Sequence, residues 1–461
     1  MINRPISISI ARSAGLTLAL LIAGAPVSAF AAKAKHPVVV SQPATVASEI
    51  GAQAREPELS GFYATRQYRP LWLGADGSLR PAATAFLELI GSAELDEVDG
   101  YTIGFDNLKA ATSRLSTDRS PQAIGQAEVA LSRSFAAYVR ATRTARAATM
   151  LYEHDTLKAN APDVRGVLEA AAAAPSLDDY VARMAWMHPL YAPVRQALSS
   201  ASTFEERQVL EGNLERIRAI PSAPAKRYVL VDAASATLWM YENDRAVDSM
   251  RVVVGKPELQ TPMMAGYIRY AILNPYWNVP PDLIRKNIAP NVIRGGAAYL
   301  RNGRYEVLSD WTPDAQPIDP MTVDWKKVAA GDEEVRVRQL PGGSNFMGKV
   351  KYEFPNKLGI YLHDTPEKNL MLKDARQLSS GCIRLEDADR LGRWLMQAPL
   401  PEQVAGMEQR VDLPEIVPVY VTYLTAHPQG GQVALGPDPY RRDRAARALA
   451  QAGTEIQTAR K

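Results

Sequence analysis

The sequence has little of what small secreted proteins use for cross-links or metal sites. Its 461 residues include one cysteine, Cys382, and five histidines, with no two histidines at a metal-ligand spacing. A single cysteine excludes an intramolecular disulfide and a cysteine-based zinc site. Lysine and arginine number 53 against 50 acidic residues, and a net charge of +3 is too small to hold nucleic acid by bulk charge. What remains is an ordinary globular composition, long enough for about two to four domains.

The first 31 residues predict export. Arg4 and Arg12 give a positive start, residues 14–25 are apolar, and Ala29-Phe-Ala31 has the small-residue pattern of a cleavage site. The apolar run is shorter than the ~20 residues that span a bilayer, which favours a cleaved signal peptide over a membrane anchor. An exported protein with one unpaired cysteine is expected to keep it as a reactive thiol or an intermolecular partner.

The mature chain begins with a linker and a helical region. Residues 32–56 are rich in alanine, valine, serine and proline, which predicts a flexible tether. Further on, Ser120 followed by Pro121 is a helix-start signal. Apolar residues then recur at helical spacing, at Ile124, Leu131, Phe135 and Tyr138. The region shows no convergent polar cluster, so we predict a helical scaffold domain over 57–225.

β-branched and aromatic runs replace the helical pattern after residue 225. They predict strands at 228–231, 237–241, 250–254, 267–273, 359–363 and 417–424. Many short strands indicate a β-rich, sandwich-like or barrel-like domain, here 226–444. Prolines and glycines interrupt it, which predicts an insertion over 284–345 with a helix near 281–293. With a tail at 445–461, the expected fold class is α+β, with several domains.

Two short segments carry the candidate chemistry. They are Tyr361-Leu-His-Asp-Thr365 and Ser379-Ser-Gly-Cys-Ile-Arg384, which place His363 19 positions before Cys382. A thiol attacks as the thiolate, and a neighbouring imidazole can generate it by taking the proton. Gly381 allows a substrate carbonyl to approach the backbone, whose amides can then face an oxyanion. Arg384 ends the second segment, and its planar guanidinium has the donor geometry that binds a carboxylate.

Each of these residues also has a purely structural interpretation. His363 can be a histidine whose hydrogen bonds are satisfied at a strand end, and Asp364 can form a turn. Arg384 can pair at the surface with Glu386 or Asp387. A free cysteine is most often a small buried hydrophobe. Export and the flanking Ser-Ser-Gly favour the reactive interpretation of the thiol.

The two segments resemble the catalytic motif of the L,D-transpeptidases of the YkuD type. Further segments resemble the large periplasmic, YcbB-like members of that family, at 62–72, 188–191, 251–256, 260–262, 274–281 and 418–423. The resemblance implies a periplasmic enzyme with a β-rich catalytic domain and a capping insertion. Such an enzyme cleaves a peptidoglycan stem tetrapeptide after diaminopimelate, releases D-alanine and forms a 3→3 cross-link through a cysteine thioester. It serves wall synthesis and cell shape.

The resemblance also implies roles for individual residues. Cys382 is the nucleophile, His363 is the general base, and the Asp364 carbonyl orients the imidazole. The Gly381 and Cys382 amides form an oxyanion hole, with Ser380 beside them. Substrate contacts fall to Arg384, Ser379, Tyr361 and Trp277, and the last is equally well explained as a core residue.

No cofactor or metal is implied. The implied partners are donor and acceptor stem tetrapeptides, together with proteins of wall synthesis or the outer membrane, and nucleic acid is not among them. Carbapenems are expected to acylate Cys382.

Two departures from the family pattern bear on function. Ser380 stands where the motif usually has a histidine, and fewer than twenty residues separate Gln196 from Leu214, too few for a peptidoglycan-binding module. Alternatives within the family anchor a protein to the wall, exchange D-amino acids or hydrolyse such links. A non-catalytic wall-binding scaffold is a further alternative. A thiol oxidoreductase would need a second cysteine, which the sequence lacks.

Overall fold

A computed structural model describes residues 45–146, 148–404 and 406–443. The predicted signal peptide (1–31) and C-terminal tail (445–461) lie outside these residues, as does most of the tether. The described end of the tether is helical, so the prediction of a flexible segment is wrong there. Thr45 caps helix α1 (Val46–Gln53) by accepting a hydrogen bond from the Ser48 N–H, and Ile50 is fully buried. A capped end and a buried apolar anchor stabilise the helix despite its composition.

A helical region precedes the sheet. After α1 its helices are α2 (Pro57–Thr65), α3 (Pro81–Ile90), α4 (Phe105–Arg114), α5 (Pro121–Thr142), α6 (Val164–Ala173), α7 (Leu177–Ala182), α8 (Tyr191–Ser200) and α9 (Phe204–Arg218). Helix α5 begins as predicted, because the Ser120 side chain accepts a hydrogen bond from the Ala123 N–H. The four apolar residues predicted for one face of α5 are all buried. Within the described ranges, no helix is both long and apolar enough to cross a membrane.

Two buried carboxylates organise the helical core. Glu128 on α5 accepts hydrogen bonds from the Tyr63 hydroxyl at 2.7 Å and from the backbone N–H groups of residues 71–73. Asp96 is paired with Arg195 at 2.8 Å. Burial raises the pKa of Glu128, and the donated hydrogen bonds oppose that shift. Both of these buried carboxylates are thus matched by protein partners.

The second region is built on strands. They are β1 (Leu151–Tyr152), β2 (Arg227–Asp232), β3 (Thr237–Glu242), β4 (Arg245–Gly255), β5 (Met264–Leu273), β6 (Trp277–Asn278), β7 (Tyr305–Leu308), β8 (Pro317–Ile318), β9 (Arg336–Gln339), β10 (Val350–Glu353), β11 (Leu362–His363), β12 (Gln377–Ser379), β13 (Ile383–Leu385), β14 (Gln409–Thr422), β15 (Ala426–Gln429) and β16 (Gln432–Leu435). The main sheet runs β5-β10-β11-β13-β4-β3-β2-β14 and closes on itself because β14 also pairs with β5. The predicted α+β class is confirmed, and these eight strands of the main sheet form a hydrogen-bonded ring.

The insertion has its own sheet and its own apolar core. The sheet order is β6-β9-β7-β8. Its helical part is longer than predicted and runs through α10 (Pro281–Leu283), a π-helical segment (Ile284–Ile288) and α11 (Ala289–Asn302), followed by α12 (Trp325–Ala330). Gly296, with φ +60°, kinks α11. A separate set of buried residues from 279–337 fills the space between these elements. After the insertion, α13 (Ala388–Met396) packs on the main sheet.

Candidate active site

Three neighbouring strands of the ring bring the predicted residues together. In the register of β10, β11 and β13, Lys351 lies opposite His363, and His363 lies opposite Arg384. The alternate residues of these strands, including Leu362, face the core and are fully buried. Because side chains alternate across a strand, the three polar side chains share the other face of the sheet. The imidazole is therefore flanked by a cation on each side.

Cys382 lies in the turn that leads into β13, beside Tyr361. The Ile383 N–H donates to the Tyr361 carbonyl at 2.9 Å, which continues the parallel pairing towards Cys382. The preceding residue, Gly381, has φ +120°, in the region that favours glycine. The Thr261 hydroxyl donates to the Gly381 carbonyl at 2.7 Å and anchors the turn from the opposite side.

Ser379 stabilises this turn from within. Its buried hydroxyl accepts a hydrogen bond from the Gly381 N–H at 3.1 Å and donates to the Cys382 carbonyl at 2.6 Å. The hydroxyl is therefore used inside the turn, and the substrate contact expected of Ser379 stays a prediction. The Gly381 N–H is likewise occupied and is not a free oxyanion donor in this conformation.

Two groups on the turn remain open to a ligand. Among the described residues, the Cys382 N–H has no hydrogen-bond acceptor and is free to donate to a ligand. Ser380 is exposed, and its hydroxyl makes no hydrogen bond to any described residue. A site for an oxyanion is thus half formed around the Cys382 amide.

The Cys382 side chain is held as a thiol. Burial raises its pKa, while the Tyr361 N–H and the nearby Arg384 charge act in the opposite direction. The sulfur donates to the Gly359 carbonyl at 3.5 Å. Since the thiolate is disfavoured by burial, the thiol needs a base before it can attack.

His363 is a neutral imidazole of defined tautomer. It is 4% exposed, and burial followed by the Arg384 charge lowers its pKa to about 4. Its Nδ1 lies 2.6 Å from the Asp364 carbonyl oxygen, which can only accept, so Nδ1 carries the hydrogen and Nε2 is the basic nitrogen. Among the described residues no hydrogen bond joins the imidazole to the Cys382 sulfur. Such bonds are often formed only once substrate is bound.

The Asp364 carboxylate fixes the backbone that orients the imidazole. It accepts hydrogen bonds from the Lys349 N–H at 2.9 Å and from the Lys368 ammonium at 2.7 Å. Asp364 therefore does more than form a turn. Its carboxylate holds the loop, and its carbonyl orients the imidazole.

Arg384 has a different partner from those considered for it. Its guanidinium pairs with Glu367, which is 17 positions earlier in the chain. Glu386 binds Arg251, and Asp387 caps α13 through the Arg390 N–H. Arg384 thus stays in the row beside His363 instead of pairing with its sequence neighbours.

Tyr361 and Trp277 are placed differently. The Tyr361 ring is half-buried beside the thiol, and burial raises the pKa of its hydroxyl to about 12, so it remains a hydrogen-bond donor at neutral pH. Trp277 on β6 packs on Phe346, with ring centroids 4.9 Å apart, and near Tyr305 at 6.4 Å. These contacts support the core interpretation of Trp277, within the insertion.

No metal site accompanies these residues in the part of the chain that the structure describes. Those residues contain no group of three or more histidine, cysteine, aspartate or glutamate side chains that could hold a metal ion.

Comparison with known protein families places the site in a recognised domain. Residues 226–419 match the L,D-transpeptidase catalytic domain, YkuD, and residues 57–198 match a scaffold domain. The chain carries an L,D-transpeptidase catalytic domain. Every predicted site residue lies inside the matched range, and the resemblance to this family is confirmed.

Individual relatives agree with this assignment. A Haemophilus influenzae protein that is provisionally named an L,D-transpeptidase is 27% identical over 421 residues, covering 87% of this chain and 81% of its own. An L,D-transpeptidase from Mycobacterium smegmatis shares 13% identity, with a TM-score of 0.22 over 43% of this chain and 58% of its own. A structure described as the Ldtfm-avibactam carbamoyl enzyme shares 14% identity, with a TM-score of 0.21 over 46% and 61%. Both structural similarities span less than two thirds of those chains.

The L,D-transpeptidase domain contains polar residues at the site that sequence reasoning missed. Lys351 and Glu353 form an ion pair of 2.5 Å on β10, and Thr261 and Gly359 contact the cysteine turn. The one signal in the sequence was that Tyr352 lies between two charged residues. Such alternation of apolar and charged residues is typical of a strand with one apolar face. A four-residue strand is too short for that signal to stand out.

Proposed function

We propose that this protein is a periplasmic L,D-transpeptidase that forms 3→3 cross-links between diaminopimelate residues of peptidoglycan stem peptides. The observation that carries the proposal is the buried, neutral His363, whose Nδ1–H is bound by the Asp364 carbonyl. It lies on β11, next to β13, which the lone cysteine immediately precedes, inside an L,D-transpeptidase domain. The periplasmic location is supported by the signal-peptide pattern of residues 1–31.

The first half-reaction forms a thioester. The Cys382 thiol gives its proton to His363 Nε2, and the sulfur attacks the carbonyl carbon between diaminopimelate and D-alanine. The Cys382 N–H faces the oxyanion that forms, and the Arg384 charge favours both negative species. His363 then returns the proton to the leaving nitrogen, and D-alanine departs.

The second half-reaction moves the acyl group to an amine. A neutral amine on the acceptor diaminopimelate attacks the thioester, and His363 Nε2 takes the proton that the new amide nitrogen loses. The thiolate leaves and recovers that proton, which restores the starting enzyme. Wall anchoring of a protein, D-amino acid exchange and hydrolysis share the first half-reaction and differ in the acceptor, so the acceptor must be identified directly.

The proposal predicts that Cys382→Ala lowers D-alanine release by at least ~10³-fold, because the nucleophile is lost. The measurement uses the mature protein with tetrapeptide muropeptides and detects D-alanine and 3→3 dimers by mass spectrometry. Ser199→Ala, which changes an exposed serine on α8 of the helical region, is the control. A carbapenem should add its intact mass to the wild type and not to Cys382→Ala. Turnover that survives in Cys382→Ala would exclude the mechanism.

A further inference from the structure

The ion pair on β10 provides a binding site beside the nucleophile. We infer that Lys351 and Glu353 bind the acceptor through an amino acid head group, one that carries an ammonium and a carboxylate together. The identity of the acceptor rests on the proposed function. The role inferred for the pair is to bind the acceptor, not to transfer a proton.

The pair faces the catalytic residues. Lys351 and Glu353 are two positions apart on β10, so both side chains lie on one face of the strand. Lys351 is directly opposite His363, and the same register continues from Glu353 to Tyr361, which lies beside Cys382. The Lys351 ammonium is also 4.6 Å from the centroid of the Tyr361 ring.

The pair has unused hydrogen-bonding capacity. The Lys351 Nζ and Glu353 Oε1 atoms are 2.5 Å apart, and the two side chains are only 12% and 10% exposed. Within the described ranges, neither charged group has a hydrogen bond or ion pair with any other residue. An ammonium has three donors, and a carboxylate has about four acceptor sites. Much of the capacity of this pair is therefore free for a ligand.

Stability alone does not account for such a pair. An ion pair removed from water is often no more stabilising than apolar residues of the same volume. The buried carboxylate of Asp96 shows the structural alternative, since it accepts from the Tyr138 and Tyr191 hydroxyls as well as from Arg195. The Lys351–Glu353 pair has no such surrounding partners in the described residues.

A zwitterionic head group matches the pair charge for charge. Its carboxylate would bind Lys351 and its ammonium would bind Glu353, so binding would bury no net charge. Glu353 is two strands from Cys382, a separation of about 10 Å. The bound ammonium first loses one proton to solvent, and the resulting neutral amine moves across this gap from Glu353 to the thioester carbonyl on the sulfur. The far end of a diaminopimelate side chain carries both groups on one carbon.

The first test measures binding without catalysis. Calorimetric titration of meso-diaminopimelate into Cys382→Ala protein should give a dissociation constant that rises at least about tenfold when Lys351→Met or Glu353→Gln is added. The control is Arg410→Met with Asp412→Asn, an ion pair at the same spacing on β14, but 59% and 70% exposed. It should change binding by less than about twofold. Equal binding by all these proteins would overturn the inference.

The second test separates the two half-reactions in protein that retains Cys382. In Lys351→Met and Glu353→Gln, transfer to a D-amino acid should fall at least about tenfold more than D-alanine release does. Transfer to the corresponding amine without a carboxylate should not show that extra loss in Lys351→Met. Parallel losses in both half-reactions would contradict acceptor binding by the pair. Absence of D-alanine release in the wild type would refute the proposed function, while the binding result would still decide the inference.

A neutral double variant guards against unfolding. Removal of one partner leaves an uncompensated charge, whereas Lys351→Met with Glu353→Met removes both. With a melting temperature near that of the wild type, this variant should still bind diaminopimelate at least about tenfold more weakly. Retained binding in a folded neutral double variant would overturn the inference.

Discussion

Two buried histidines, one from each region of the molecule, show how structure and catalysis use the same side chain. His188 precedes α8 in the helical region, and His363 ends β11 in the catalytic domain. Burial lowers the pKa of His188 to about 3 and that of His363 to about 4, so both are neutral at pH 7. Burial and charge state therefore do not distinguish the two residues.

Their nitrogen atoms do distinguish them. His188 Nδ1 accepts from the Leu190 N–H at 3.4 Å, and its Nε2 donates to the Tyr228 hydroxyl at 3.0 Å. Both nitrogens are thus used, and the second bond reaches β2 of the catalytic domain. His363 carries its hydrogen on the opposite nitrogen, and its Nε2 has no protein partner in the described residues. A satisfied histidine holds structure, whereas one with a free basic nitrogen beside a thiol can take a proton.

The largest expected effect comes from exchanging each histidine for glutamine. His363→Gln should lower D-alanine release ~10²–10⁴-fold because the base is lost. His188→Gln should leave turnover nearly unchanged and lower the free energy of unfolding by about 1–3 kcal/mol, through its hydrogen bonds. Kinetics and urea unfolding of both variants check this. If His188→Gln lost activity at unchanged stability, the distinction between the two residues would fail.

The pH dependence of the free energy of unfolding should report the lowered pKa values of both histidines. Their folded-state pKa values lie below the ordinary value of about 6.5, so in acid the unfolded chain binds protons that the folded chain does not. Stability should therefore be unaffected above pH 6.5. It should fall as the pH drops to about 4 for His363 and about 3 for His188, by up to roughly 1.4 kcal/mol per pH unit for each residue.

Urea unfolding between pH 4 and 8 measures this loss. Each glutamine variant should reduce the slope of stability against pH in the acid window, and the double variant should reduce it further. An unchanged slope in His363→Gln would contradict a neutral, buried imidazole at that position.

The smallest expected effects separate the two adjacent serines of the cysteine turn. Ser379→Ala should destabilise the protein by about 1–2 kcal/mol and slow acylation, because the Gly381 N–H and the Cys382 carbonyl lose their shared partner. Ser380→Ala removes an exposed hydroxyl and should alter stability by less than about 0.5 kcal/mol. Thermal unfolding and carbapenem acylation rates compare the pair. Similar behaviour of the two variants would show that the turn does not depend on Ser379.

Local sequence signals predicted local structure well. Ser120 and Pro121 correctly predict the start of α5, and the apolar runs predict strands of the ring. The predicted tether is wrong at α1 because average composition concealed a cap at Thr45 and a buried Ile50. A cap depends on a few atoms, so it is invisible to a composition average.

Pairings between distant residues were beyond the sequence. Arg384 binds Glu367 instead of its acidic neighbours, and Ser379 differs from Ser380 because one is buried and the other exposed. Lys351 and Glu353 join the site because β10 pairs with β11. Each of these outcomes depends on strand register, and a shift of one residue would turn the side chains to the other face.

By itself, the sequence determined the chemistry available to this protein: one thiol, a histidine 19 positions before it, and the motif of an L,D-transpeptidase catalytic domain. Only the tertiary structure decided the states of those groups. Closing the ring of strands buried the imidazole, placed a cation on each side of it and selected its tautomer through the Asp364 carbonyl. The physical reason is that protonation depends on burial and on charges across neighbouring strands, whereas the tautomer depends on the loop geometry that turns the carbonyl of the adjacent Asp364 towards Nδ1.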